Sequence, residues 1–312
     1  MAQLKKLWLR LGVFGFMALT WPLARLPKTL TLALGALGGR LFFFLLRRRR
    51  RVTLGNIERA QAAGALDPKL NVAQTAAATF ANLGVVAVES FCLLHKGVDY
   101  FQGRWSILGQ EIAREALDLG RREKRGLIFL TGHVGNWELS CKVLPLFFDF
   151  KVNIVGRSQG ALADALLIRL RTQGGHNFVF KDGGAGVMLK TLRSGGVLGT
   201  LFDQSALVGS EGAPLNFMGR PALTTLAPLK LAAKTGALVV PFFSRREGSY
   251  HYFEIFPYLI PPARADRDWL IQSTQSLNDL LAEFVRKRPD QWMWGHRRWK
   301  SQAGVKADPR YF

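Results

Sequence analysis

The sequence predicts an α/β fold: a central, mostly parallel sheet flanked by helices, behind N-terminal membrane-anchoring helices. Three observations lead there. From Leu127 onward, short apolar runs alternate with segments of helical length, the pattern of successive strand–helix units. Residues 1–60 combine long apolar runs with twelve Lys/Arg against a single acid, Glu58. After residue 60 no internal repeat, low-complexity stretch or linker divides the chain. Residues 1–60 therefore read as a membrane anchor with a basic juxtamembrane segment, and residues 61–312 as one domain.

The elements follow in order. Leu11–Ala24 is apolar apart from Gly12, Gly15, Thr20 and Pro22, and is short for a full span. Thr29–Leu46 is long enough but carries Arg40 and three glycines, and the block Arg47–Arg51 follows at once. A signal peptide is the competing reading, but there is no clear small-X-small cleavage site and apolar character resumes beyond Pro27. The expectation is a retained anchor, either one spanning helix or two helices lying partly in the bilayer, with the arginine block on the cytoplasmic face. A polar stretch, Gly64–Pro68, leads to a helix over Val72–His95 whose apolar face includes Phe80, Leu83, Val86 and Phe91. Strands are predicted at Leu127–Thr131, Val152–Gly156, Phe178–Phe180, Val197–Phe202, Leu238–Phe243 and Tyr252–Phe256. Helices are predicted at Trp137–Phe147, Ala161–Thr172, Gly186–Arg193, Leu223–Lys234 and Asp268–Arg288.

Charge narrows the partners. With 43 Lys+Arg against 22 Asp+Glu the net charge is +21, which calls for something anionic. Basic residues beside apolar runs point to an anionic membrane and away from nucleic acid. The two cysteines, Cys92 and Cys141, sit among apolar neighbours and read as inert core thiols.

The most informative motif is Gly132-His133-Val134-Gly135-Asn136-Trp137-Glu138. It follows the apolar run Leu127–Leu130, so His133 sits where a strand ends and Glu138 on the first turn of the next helix. That is the ligand-binding edge of an α/β sheet. The glycines let the backbone turn tightly, and an imidazole held by a carboxylate makes a general base for a hydroxyl. The structural alternative is a histidine and a glutamate that merely stabilise a helix start. No second local histidine completes a metal site, so no metal is expected. There is no Gly-X-Gly-X-X-Gly run and no Gly-X-Ser-X-Gly elbow, and Gly183-Gly184-Ala185-Gly186 reads as the start of a helix.

Together these residues resemble the bacterial lipid A biosynthesis acyltransferases that acylate Kdo-lipid A. The resemblance rests on the basic N-terminus, Gly132–Glu138 and the closing Gln291-Trp292-Met293-Trp294-Gly295-His296-Arg297-Arg298-Trp299-Lys300. It extends to Arg47–Arg51 with Val52-Thr53-Leu54-Gly55-Asn56-Ile57, to Phe202-Asp203-Gln204 and to Phe217-Met218-Gly219-Arg220-Pro221-Ala222. It implies a glycerolipid-acyltransferase-like fold for residues 61–312, an acyl carrier protein as donor partner, an anionic glycolipid acceptor, and no cofactor. It implies that His133 deprotonates an acceptor hydroxyl that attacks the carrier thioester, with Glu138 orienting His133. Backbone N–H groups near Gly135 and Asn136, or an arginine, are the oxyanion donors to look for. Arg157 and Arg171 resemble recurring family arginines suited to phosphate; Asn136, Asp203 and Arg220 complete the expected substrate contacts. The implied location is the cell inner membrane, with the catalytic domain facing the cytoplasm.

Two stretches depart from the family's pattern. Arg157-Ser158-Gln159-Gly160-Ala161 lacks the Asn of an Arg-X-X-X-Asn run, and Ser205–Glu211 lacks basic or glycine-rich character. The competing functions are acylation of another lipid (a lysophospholipid or a phosphatidylinositol mannoside), a thioesterase, and a non-catalytic basic protein of the membrane surface.

Overall fold

The computed structural model describes residues 2–206 and 212–300; of the departing stretch Ser205–Glu211, residues 207–211 lie outside the described residues. The chain opens with three helices, α1 (Ala2–Thr20), α2 (Lys28–Leu45) and α3 (Arg47–Ala62). A long helix, α4 (Val72–Lys96), leads to β1 (Trp105–Leu108), α5 (Gln110–Glu123), β2 (Leu127–Thr131), α6 (Trp137–Phe147), β3 (Val152–Gly156), α7 (Ala161–Thr172), β4 (Asn177–Phe180), α8 (Ala185–Arg193) and β5 (Val197–Leu201). A hairpin, β6 (Gly212–Phe217) and β7 (Arg220–Thr225), precedes α9 (Ala227–Thr235), β8 (Leu238–Glu247), β9 (Tyr250–Ile255) and α10 (Arg267–Lys287).

Seven strands form one sheet in the order β1-β9-β8-β2-β5-β3-β4. Strands β8, β2, β5, β3 and β4 run parallel; β9 turns back antiparallel to β8 and carries β1 beside it in parallel. The fold is thus the α/β architecture expected, with a mostly parallel central sheet and apolar N-terminal helices. Each face has its own core. One gathers Ile128, Leu130, Met188, Leu229, Leu277 and Leu281 under α8, α9 and α10; the other gathers Phe129, Leu139, Val143, Leu170 and Ala113 under α5, α6 and α7. Side chains alternating along β2 feed both faces, so a strand buried on both sides reads as an unbroken apolar run.

Three differences from the expected elements have local causes. Leu223–Thr225 belongs to the β6–β7 hairpin, whose two-residue turn Met218-Gly219 has positive φ at both positions; the helix starts only at Ala227, with Pro228 in its first turn. The edge strand β1 is four residues long and nowhere fully buried, too short to announce itself. Helix α5 adds a markedly amphipathic element to those expected; its buried face is built from the small residues Ala113, Ala116 and Gly120 beside Leu117, a weak apolar signal. The boundary expected near residue 60 marks no break in packing, because Val52, Ile57 and Ala60 of α3 lie in the main core with Trp292, Trp294 and Trp299.

Among the described residues three segments are long and apolar enough to cross a membrane: Lys6–Arg25, Lys28–Leu45 and Val72–Phe101. The first two expose a dense set of large apolar side chains, among them Trp8, Phe14, Leu19, Leu37, Leu41, Phe42 and Phe44, which suits lipid and not water. Helices α2 and α4 pack backbone to backbone. A Cβ on Gly39 would lie 2.0 Å from the Phe80 carbonyl oxygen, and one on Gly84 2.1 Å from that of Gly35. Small residues at such positions let apolar helices approach closely.

Candidate active site

Four parallel strands end side by side, and each delivers a polar residue just beyond its carboxyl end. His133 follows β2, Asp203 and Gln204 follow β5, Arg157 follows β3 and Lys181 follows β4. His133, Gln204, Arg157 and Lys181, with Trp137, Glu138, Arg171, Met293 and His296, line a cavity of about 390 Å³, and Asp203 lies buried behind His133.

His133 is held by Asp203, not by Glu138 as the sequence suggested. Its Nδ1 lies 2.8 Å from Asp203 Oδ1, and its backbone N–H donates to Asp203 Oδ2 at 2.8 Å. The Trp292 indole N–H donates to the same Oδ2 at 2.9 Å. Burial alone would push the Asp203 carboxyl up, but the His133 imidazole and backbone N–H, with His296 nearby, hold it well below the usual carboxylate range. An ionised carboxylate only accepts, so His133 carries a proton on Nδ1, and the neutral tautomer this selects has its acceptor at Nε2. Gln204 Nε2 stands 3.2 Å from that Nε2 and 2.9 Å from His296 Nε2, so one side-chain amide bridges two imidazoles. Burial, with His133 and Arg49 nearby, pushes His296 down to about 4, so its ring stays neutral and accepts.

Glu138 instead meets Arg171 in a buried two-point pair, Oε2 to Nε at 3.0 Å and Oε1 to Nη2 at 2.6 Å. The Trp137 indole N–H adds a bond at 3.0 Å. Burial works against the charged form of Glu138, yet Arg171 outweighs it and keeps the carboxyl below its ordinary value. The pair forms a wall of the cavity and ties α6 to α7. Arg171, expected to contact substrate, is therefore engaged by Glu138. The Lys142 ammonium lies behind the pair, bonding the Arg171 and Gln173 carbonyls, and burial lowers it to about 8.

Two other expected contacts are used structurally. Asn136 is buried; its side chain caps α6 by accepting from the Leu139 N–H at 2.9 Å, and donates to Glu89 Oε2 at 2.9 Å. Glu89 in turn faces His251 Nε2 at 3.1 Å. Asp203 is 1% exposed, which leaves it no face for a sugar. Arg220 begins β7 at the turn end of the hairpin, where a Cβ on Gly219 would meet Ala63, about 16 Å of strand from the cavity-lining Thr225. Among the backbone donors considered, the Gly135 N–H is taken by the Gln291 carbonyl at 3.0 Å. Gly135 itself has φ 59°, and a Cβ there would lie 2.2 Å from the Ser244 carbonyl oxygen.

Arg157 lines the cavity, and its guanidinium forms no side-chain bond among the described residues. Lys181 stands beside it, half-buried, with burial and Arg157 lowering its ammonium. Lys181, Gln204 and His296 were not assigned to the site from sequence. The available signal was positional: Lys181 and Gln204 follow strands as Arg157 and Asp203 do.

The closing segment forms a strap across the site. The Met293 N–H donates to the His133 carbonyl, and Trp292, Trp294 and Trp299 cluster with Phe217. Arg298 is fully buried and bonds the Gln204 and Leu223 carbonyls, Thr224 and Asn278. These three tryptophans are buried in the domain. Cys141 donates to the Trp137 carbonyl, and burial pushes its thiol up to about 11, a poor nucleophile. Among the described residues no group of three His, Cys, Asp or Glu is placed to hold a metal ion.

The chain is 24% identical over 307 residues to the lipid A biosynthesis lauroyltransferase of Escherichia coli (strain K12), covering 95% of this chain and 91% of that protein. A crystal structure of the 1-acyl-sn-glycerophosphate (LPA) acyltransferase PlsC from Thermotoga maritima aligns with a TM-score of 0.38 and 12% identity, covering 81% of this chain and 98% of that one. The family model for bacterial lipid A biosynthesis acyltransferases matches residues 3–301, and with nearly the whole chain inside that match, the protein belongs to this family of lipid acyltransferases.

Proposed function

We propose that this protein transfers a fatty acyl chain from an acyl carrier protein thioester to a hydroxyl of Kdo-lipid A, with His133 as general base. The observation that carries the reading is the His133–Asp203 bond, which presents a basic Nε2 to a cavity lined by Arg157 and Lys181. The acceptor hydroxyl takes the place of the Gln204 amide at His133 Nε2 and gives up its proton there. Its oxygen attacks the thioester carbonyl carbon; the tetrahedral oxyanion collapses, the C–S bond breaks, and the imidazolium returns the proton to the departing thiolate. Asp203 stabilises the imidazolium between these steps. The displaced Gln204 amide, 3.2 Å from His133 Nε2, is the side-chain donor for the oxyanion. The thioester is already activated, so no covalent enzyme intermediate is needed.

Arg157 and Lys181 sit at the cavity as receptors for a phosphate of the acceptor. The site lies at the cytoplasmic face of the inner membrane, with Arg47–Arg51 at the boundary between apolar helix and water. The basic surface attracts both anionic lipid and the acidic carrier protein. The relationship to a lauroyltransferase favours lipid A over a lysophospholipid or a mannoside.

The test is acyl transfer from a panel of acyl carrier protein thioesters to Kdo-lipid A by wild type and His133→Ala. Transfer by wild type that disappears in the variant supports the mechanism. Equal rates in both proteins sink the general base, and transfer only to other lipids overturns the acceptor.

A further inference from the structure

A second cavity adjoins the first. A groove of about 440 Å³ runs between α2 and α4, walled by Gly38 and Phe42 on one side and Leu83 and Ala87 on the other. It ends on Met293 and His296, the same two residues that line the polar cavity, so the apolar and polar spaces meet at the strap. From Leu34 to Leu46 the groove extends for about 18 Å at 1.5 Å per residue. That is close to the depth of one leaflet of a bilayer whose hydrocarbon core is about 30 Å thick. Its walls belong to two of the helices apolar enough to cross a membrane, and Leu34 and Phe42 are exposed. At its polar end Arg49, in the middle of the arginine block Arg47–Arg51, bonds the Gly295 carbonyl at 3.0 Å.

We infer that this groove holds one acyl chain of the acceptor lipid while its phosphorylated headgroup reaches through to His133. The inference rests on the proposed reaction and adds the acceptor's route. A donor on a soluble carrier protein approaches from water, whereas the acceptor already has its chains in the bilayer. A groove open to lipid along its length lets one chain remain in an apolar phase throughout, so only the headgroup changes environment. The junction at His296 is where a chain must give way to a headgroup, and the cations beyond it, Arg157 and Lys181, match that headgroup's phosphate.

Gly38 offers a clean test, because a Cβ there meets nothing within 4 Å and a larger side chain fills the groove without parting the helices. Gly38→Phe and Ala87→Phe, as full-length protein in nanodiscs, should raise the KM for Kdo-lipid A by about tenfold or more while the KM for the acyl carrier protein thioester and the melting temperature hold. A second readout avoids turnover: Kdo-lipid A bearing a diazirine in an acyl chain should crosslink α4 in the His133→Ala protein, and Gly38→Phe should abolish that crosslink. A changed donor KM or a changed preference for donor chain length would assign the groove to the donor and overturn the inference. An unchanged acceptor KM with unchanged crosslinking would make the groove mere lipid-facing surface. Wild-type protein that fails to acylate Kdo-lipid A is a different failure, that of the reaction itself.

Discussion

Asp203→Asn isolates the feature on which the proposed chemistry turns. The wild-type carboxylate accepts three bonds: His133 Nδ1 on Oδ1, and the His133 backbone N–H and Trp292 Nε1 on Oδ2. An asparagine has one oxygen, able to accept two bonds, and an NH2 that can only donate. Placing the NH2 at the Oδ2 position would leave two buried donors unsatisfied, at about 1–3 kcal/mol each. The oxygen therefore takes that position and the NH2 faces His133 Nδ1. The imidazole must then accept at Nδ1 and carry its proton on Nε2, where no lone pair remains for the acceptor hydroxyl. In the serine-protease triad an Asp→Asn change beside the catalytic histidine forces the same wrong tautomer, and by that analogy kcat should fall by about 10³–10⁴. Lost charge-assisted bonding should cost about 1–3 kcal/mol of stability. Steady-state acyl transfer together with thermal unfolding separates these effects. Raising the pH should not restore activity, because the fault is a tautomer and not a protonation state. A folded Asp203→Asn protein with kcat within about tenfold of wild type would refute the assignment of Asp203 as the residue that sets the base.

Three further outcomes are expected. Glu138→Gln leaves Arg171 charged and buried without its partner, so it should lose about 3–5 kcal/mol of stability while the folded fraction keeps more activity than Asp203→Asn does; thermal unfolding beside kcat checks this, and a stable but inactive variant would return Glu138 to a direct role on His133. Burial, with basic neighbours, lowers both His176 and His296 to about 4 from an ordinary 6.5, so the unfolded chain takes up those protons first and stability should decline as pH falls from about 6.5 to about 4. The depressed carboxyls of Asp203 and Glu138 add to the loss only at lower pH, below their unfolded range near 4, and melting temperature against pH for wild type and His176→Gln would show the first window flattened in the variant. Gly84→Val should separate α2 from α4, since its Cβ has backbone at 2.1 Å, and should cost about 1–3 kcal/mol or prevent folding, as read by limited proteolysis in detergent.

Sequence pattern alone located the strand ends well, because burial on both faces makes β2 a continuous apolar run, and β3 is apolar apart from Asn153. His133, Arg157 and Asp203 were recognisable as residues of the crevice edge for that reason. What it could not supply is lateral neighbourhood. Glu138 is five residues from His133 and Asp203 is seventy, so proximity along the chain favoured the wrong carboxylate. The order of strands decides otherwise. β5 lies directly beside β2 with Thr131 opposite Leu201, so two residues further on His133 and Asp203 leave the sheet at the same level. Likewise Lys181 joins Arg157 because β4 pairs with β3, with Gly156 opposite Phe180. The hairpin was missed because Met218, a non-glycine at positive φ, gives no composition signal for a tight turn.

The His-X4-Glu spacing thus encodes two pairs rather than one. Helix α6 begins four residues after His133 and turns Glu138 toward α7, where Arg171 fixes it; the imidazole is left to the neighbouring strand's Asp203. Dividing the carboxylates in this way separates two roles. Asp203 fixes the tautomer of His133, and Glu138 with Arg171 holds a wall of the cavity. The strap couples the two ends of the molecule to that arrangement. Trp292 bonds Asp203, Met293 bonds the His133 carbonyl, and Arg298 fixes the Gln204 carbonyl, while Asn56 of α3 donates to the carbonyls of Trp294 and His296. A basic helix next to the apolar N-terminal helices and the tryptophan-rich segment Trp292–Trp299 therefore meet to position one imidazole. The His133 ring is set from the N-terminal helices as much as from the sheet.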